Sequence, residues 1–424
     1  MATTDTCGMA NPHPQTVAPP LSPSLLALAP HRLLFFVGAS NVLLSMAWWF
    51  AWLVDQRWQL HWLPQAPAHA GWIHAFAMQY QLLPPFMFGF LLTVFPRWMG
   101  LPELARWHYL PVGIGLLGGQ VSVVGGMLCG QAAMVHVGVL MTLAGWTYAL
   151  VQLLRLLLAE RRAGKGPTLH AWSCFAAMAL GLSGVLCMVA WLHGGSAWAV
   201  FASIKLGTFG LLLPVYLTVA HRMFPFFAGN VVTGYRAWRP MWLLGAMWIL
   251  LALHLGLELL HAYAWLWTVD AVLAIGSACV LWRWWPRAAA PGLLWVLFAG
   301  FAWMPIAFAL YSAQSAIYTL TGSFALGRGP AHALYIGFFG SLLVAMVTRV
   351  TQGHSGRPLA MPTAGWIAFA LLQLVAIARI GAEVVADPYA WHALAAIGWL
   401  LAFLPWVLRS AGIYLRPRAD GKPG

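Results

Sequence analysis

The chain has 424 residues, of which 62% are hydrophobic and only 7% charged, with 26 tryptophans and a formal net charge of +13. Soluble domains carry about a quarter charged residues, so this composition excludes one. Long unbroken apolar runs exclude a transmembrane barrel, whose segments are short and alternating. The fold class expected is an all-α integral membrane protein.

Residues 1–30 are rich in Pro and polar side chains and lack a basic start followed by an apolar core. They are expected to form a flexible cytoplasmic tail and not a cleaved signal. Residues 31–413 hold about twelve apolar spans, roughly 33–54, 75–96, 110–128, 132–154, 171–192, 198–220, 240–260, 263–282, 291–313, 332–350, 363–381 and 391–411. Each is near the length of about 20 residues that crosses a bilayer. Residues 414–424 form a basic tail.

The charge is unevenly placed. Of the 22 Lys and Arg, 18 fall on the two tails and the even-numbered connections. Only Arg57, Arg328 and Arg379 fall on the odd ones, and Lys205 lies inside a span. The positive-inside rule then puts both termini in the cytoplasm. Topology thus accounts for the basic loops, and nucleic acid is not expected as a partner.

Spans two, six and ten end alike, each with an apolar or aromatic run and an Arg at the basic boundary: Arg97, Arg222 and Arg349. The interval is four spans each time. It fits three groups of four helices with quasi-threefold symmetry. The same endings also arise if Arg simply marks that boundary.

The stretch 332–358, HALYIGFFGSLLVAMVTRVTQGHSGRP, carries a histidine at each end of one span, with Arg349 and Arg357 beside the second. His332 opens the tenth span and His74 opens the second, both from the odd-loop side. Two imidazoles at one depth can ligate a haem iron from both sides or share a copper. The bland alternative is a boundary imidazole bonded to a carbonyl or a headgroup. Met78, four residues after His74, is either a soft ligand or packing.

His221 and His354 form a second pair on the basic side, with Arg222, Arg349 and Arg357. Those arginines suit haem propionates and equally suit phospholipid headgroups. Lys205 is a membrane-embedded charge and so a functional candidate. Asp270 is its expected acidic counterpart, with Glu258 nearer a boundary. The five cysteines (Cys7, Cys129, Cys174, Cys187, Cys279) make no CxxC or CxxCH, which excludes covalent haem attachment. No triad order, Walker loop or Rossmann glycine pattern stands in a credible strand context.

The stretch at 332–359 closely resembles the tenth-helix signature of the NnrS family of bacterial membrane proteins. HAFAMQYQLLPPFMFGFLLTVFPRWMG at 74–100 and HRMFPFFAGN at 221–230 agree with it, and PGLLWVLFAGFAWMPIAFAL at 291–310 agrees more weakly. The resemblance implies twelve spans in a bacterial inner membrane, non-covalent haem b, copper, and a part in nitric oxide metabolism and nitrosative stress. It also implies that His74, His221, Arg222, His332, Arg349, His354 and Arg357 occupy motif positions.

Two departures weigh against copper more than haem. Many members read His-x-His-Glu-Met where this chain has His74, Ala75, Phe76, Ala77 and Met78, and many carry a His at the position of Phe298. The function expected is binding or redox processing of nitric oxide, with an unknown electron donor. The rivals are a transporter of a metal, haem or small anion, and a non-catalytic sensor or assembly factor.

Overall fold

The computed structural model describes residues 21–422. Among these, twelve helices are long and apolar enough to cross a membrane. They are α1 Pro30–Trp58, α2 Ala70–Met99, α3 Leu110–Cys129, α4 Ala132–Arg162, α5 Leu169–Leu192, α6 Ala197–Val231, α7 Met241–Leu259, α8 Tyr263–Trp284, α9 Gly292–Thr321, α10 Gly329–His354, α11 Thr363–Gly381 and α12 Pro388–Tyr414. The protein is an all-α multi-span membrane protein. With twelve crossings both described ends lie on one side, here called the termini face; the other is the far face.

The expected flexible tail falls partly outside the described residues, which exclude 1–20. Its remainder is docked. Pro23–Leu28 forms a 3-10 turn, the Tyr109 hydroxyl donates to the Ala27 carbonyl, and the Ser22 amide donates to the Leu415 carbonyl.

Three helices form the centre. In α2, α6 and α10, 78%, 72% and 78% of the most apolar stretch is buried, against at most 56% in any other span. One helix from each consecutive group of four is therefore central. The remaining nine surround them, and the surround closes where α1 packs on α12. Arg57 pairs with Asp387 at the far end of that contact, at 2.6 Å. Arg32 donates to the Tyr414 carbonyl at the other end, at 3.2 Å.

Each central helix contains a π segment: Ala77–Leu82, Leu206–Leu212 and Ala333–Gly340. In α2 the cause is legible. Pro84 and Pro85 have no N–H for the carbonyls of Tyr80 and Gln81 four residues back. In lipid those carbonyls must find other donors. Trp146 Nε1 supplies one at 3.2 Å, and Asn41 Nδ2 supplies the other at 2.6 Å. Pro214 follows the α6 segment in the same way.

Small residues set the other contacts. A Cβ on Gly115 would stand 2.7 Å from the Gly145 Cα, so α3 and α4 meet backbone to backbone.

Candidate functional site

The far-face site is built from the starts of α2, α10 and α12. His74 lies in the second turn of α2, and its ring stacks on Trp49 at 4.2 Å and 12°. Trp49 stacks in turn on Trp52 at 4.9 Å. The Nδ1 of His74 is buried and has no hydrogen-bond partner. His332 differs. Its Nδ1 donates to the Arg328 carbonyl at 2.9 Å, which places the proton on Nδ1 and leaves Nε2 as the lone-pair nitrogen.

His74 and His332 do not touch, but they lie within electrostatic reach of each other and of His392 and Arg379. His392, in α12, also has a buried ring nitrogen, Nε2, without a partner. Arg379 is buried and paired with Glu383. His392 opens its span from the same face as the other two. That shared depth was the signal for adding it to the pair.

The π segments meet at the centre. Gln79 Nε2 donates to Thr208 Oγ1 at 3.0 Å and to the Tyr335 hydroxyl at 2.5 Å, and Thr208 and Tyr335 bond to each other. These three residues come from α2, α6 and α10, one from each π segment. A Cβ at Gly207 would collide with Gln79 Oε1, so the glycine makes room for that carboxamide. Toward the termini face the same helices line an apolar cavity, with Phe86, Phe90, Tyr216, Phe224, Leu343 and Met346 in its wall.

The termini-face residues separate into two groups. His221 and His354 are not in contact. His170 Nε2 lies 2.9 Å from His221 Nδ1, and His221 Nε2 donates to the Pro240 carbonyl at 3.1 Å. Both nitrogens of His221 are therefore engaged. His354 instead lies against His31, ring centroids 4.3 Å apart, and the buried His31 Nδ1 has no partner. Arg97 and Arg418 lie within electrostatic reach of both rings.

Arg222 sits over the Trp98 ring at 4.2 Å and Arg349 over Phe227 at 3.8 Å. Arg357, just beyond α10, is held below the usual arginine range by burial and then by Arg416. Its Nη1 is buried without a partner.

Lys205 does not pair with Asp270. Its Nζ bonds Glu258 Oε1 at 2.8 Å, while Asp270 Oδ1 bonds His254 Nδ1 at 2.6 Å. Glu258 lies one turn after His254, and that turn brings the carboxylate to the lysine.

The family profile described as NnrS protein matches residues 25–418. The chain belongs to the NnrS family. No curated protein matches it. In this NnrS chain, Phe298 is fully buried against Phe224 and Trp285, at 5.6 and 6.0 Å between ring centroids. Its surroundings are aromatic packing.

The donor set decides how well haem fits. Among the described residues no group of three or more His, Cys, Asp or Glu is placed to hold a metal ion. A haem iron asks the protein for only one or two ligands, because the porphyrin supplies four. His332 has the second-shell carbonyl that such a ligand needs, and His74 has an unsatisfied buried ring nitrogen. The residues present fit the group on the far face.

Proposed function

We propose that this protein is a multi-pass haem protein of a bacterial inner membrane that binds or redox-processes nitric oxide, with both termini in the cytoplasm. The observation that carries the reading is the Nδ1 hydrogen bond from His332 to the Arg328 carbonyl, in a chain that matches NnrS along most of its length. That bond fixes the ring and raises the basicity of Nε2 toward a metal. His74, oriented by its stack on Trp49, would be the second ligand. A bound haem supplies an iron at which nitric oxide binds and electrons are exchanged.

The chain's own part is positional. The indoles of Trp49 and Trp52 shield the far-face site from water and lipid. Arg379 and Arg328 place positive charge near the two imidazoles.

The termini-face arginines belong to a different site. Arg349 is 17 residues from His332, about 25 Å along a helix, which is beyond the span of one macrocycle. His354 and His31, with Arg97 and Arg418 in electrostatic reach, form a separate group there. It suits the propionates of a second haem or a headgroup phosphate.

A transporter remains the second reading, favoured by the buried charges of α6, α7 and α8. Purified protein separates the two. A Soret band that shifts when nitric oxide is added supports the haem reading. A colourless preparation without iron supports transport.

A further inference from the structure

Four ionisable side chains lie inside the bundle away from the histidine sites. Lys205 of α6 is bonded to Glu258 of α7, and Glu258 Oε1 lies 3.7 Å from His254 Nε2. His254 Nδ1 is bonded to Asp270 of α8 at 2.6 Å. The four form a line and not a ring. Its two ends differ in exposure. The Lys205 side chain is 22% exposed, whereas His254 and Asp270 are fully buried.

With His254 protonated, the line holds two positive and two negative charges. With His254 neutral, one negative charge is left over in a buried site, which is costly. One proton therefore decides whether the line is neutral. Room for that proton exists: Glu258 Oε2, Asp270 Oδ2 and His254 Nε2 are all buried and without a hydrogen-bond partner.

The line also approaches the centre of the bundle. The Phe209 ring lies 3.8 Å from the His254 ring. Phe209 is the neighbour in sequence of Thr208, in the same π segment. Tyr311 of α9 lies 5.5 Å from the His254 ring and within electrostatic reach of Glu258, Asp270 and Tyr335. Tyr335 belongs to the hydrogen-bonded triad with Gln79 and Thr208.

We propose that Lys205, Glu258, His254 and Asp270 form a proton-loading site, filled from the far face and presented to the central triad. A proton leaves water or a buffer acid at the Lys205 end and joins Glu258. It passes to His254 Nε2, leaving an imidazolium between the Glu258 and Asp270 carboxylates. The cluster gains one proton, the donor loses one, and no electron moves. The groups facing His254 are Glu258 from its own helix, Asp270 from α8 and Tyr311 from α9, while Lys205 from α6 and Tyr335 from α10 face Glu258. Tyr263, at the start of α8, faces Glu258.

The test is infrared difference spectroscopy of the full-length protein in lipid nanodiscs, cycled between about pH 5 and 9, where an imidazole titrates. The expected result is a reversible imidazole and carboxyl signal in the wild type that is lost in Asp270→Asn. In Lys205→Met the signal persists, with its midpoint raised on the order of one pH unit, because a neighbouring cation is gone. Lys205 lies at the exposed end, so this variant keeps the buried pair if Asp270→Asn fails to fold. A silent wild type, or a midpoint unmoved in Lys205→Met, would overturn the proposal and leave only a strut between α6, α7 and α8.

Discussion

Gln79 Nε2 donates to Thr208 Oγ1 at 3.0 Å, where the π segment of α2 meets that of α6. Tyr335, from the π segment of α10, accepts from the same amide nitrogen. The three central helices are therefore joined by polar side chains at the point where each widens. A π turn places one extra residue in the helix and re-aims the side chains around it. Each such turn here delivers one hydrogen-bonding group to a shared point.

Removing the Tyr335 hydroxyl tests that junction. Tyr335→Phe leaves the Gln79–Thr208 bond in place and removes the two others. The expected loss is about 0.5–2 kcal/mol, the range for interhelical hydrogen bonds in membranes and buried hydroxyls. Thermal unfolding in a fixed detergent measures it. An unchanged midpoint would show that the hydroxyl contributes nothing to holding the helices.

Gly207 gives a sharper version. Its missing Cβ makes space for the Gln79 carboxamide, whereas a Cβ on Gly229, in the same helix, would meet nothing within 4 Å. Gly207→Ala is expected to destabilise by about 1–3 kcal/mol, as overpacking of a filled interior does. Gly229→Ala is expected to stay near the wild type. Equal midpoints for the two variants would contradict the close approach.

Asp387 sets a pH dependence at the α1–α12 seam. The Ala390 backbone N–H and then the Arg57 guanidinium hold its carboxyl below the usual carboxylate range. A depressed folded value stabilises above the unfolded value, which is near 4, and that stability is lost as pH falls through the folded value. The unfolding midpoints of wild type and Asp387→Ala should thus differ by a constant amount from neutral pH down to about 4. The gap should close below it. A gap that persists in acid would place the effect elsewhere.

The twelve spans were legible because lipid forces long apolar runs on any crossing helix. Spans two, six and ten share endings at Arg97, Arg222 and Arg349, but nothing in those endings shows that these three are the most buried. Nothing along the chain marks the π segments, or shows which carbonyls Trp146 and Asn41 reach.

Side-chain pairing was less legible than helix position. Depth could be counted from span ends, and this brought His74 and His332 to one face. Rotation about the helix axis, and so which side chains face each other, could not be counted from span ends. Hence Lys205 meets Glu258 in place of Asp270, and His221 and His354 each face a different histidine, His170 and His31.

The most direct test of the haem assignment is iron analysis with optical spectra on purified wild type, His74→Ala and His332→Ala. The account predicts that both variants lose most of the haem, or keep it with an altered Soret band, while remaining folded in the membrane. Wild-type haem content and an unchanged spectrum in both variants would contradict it.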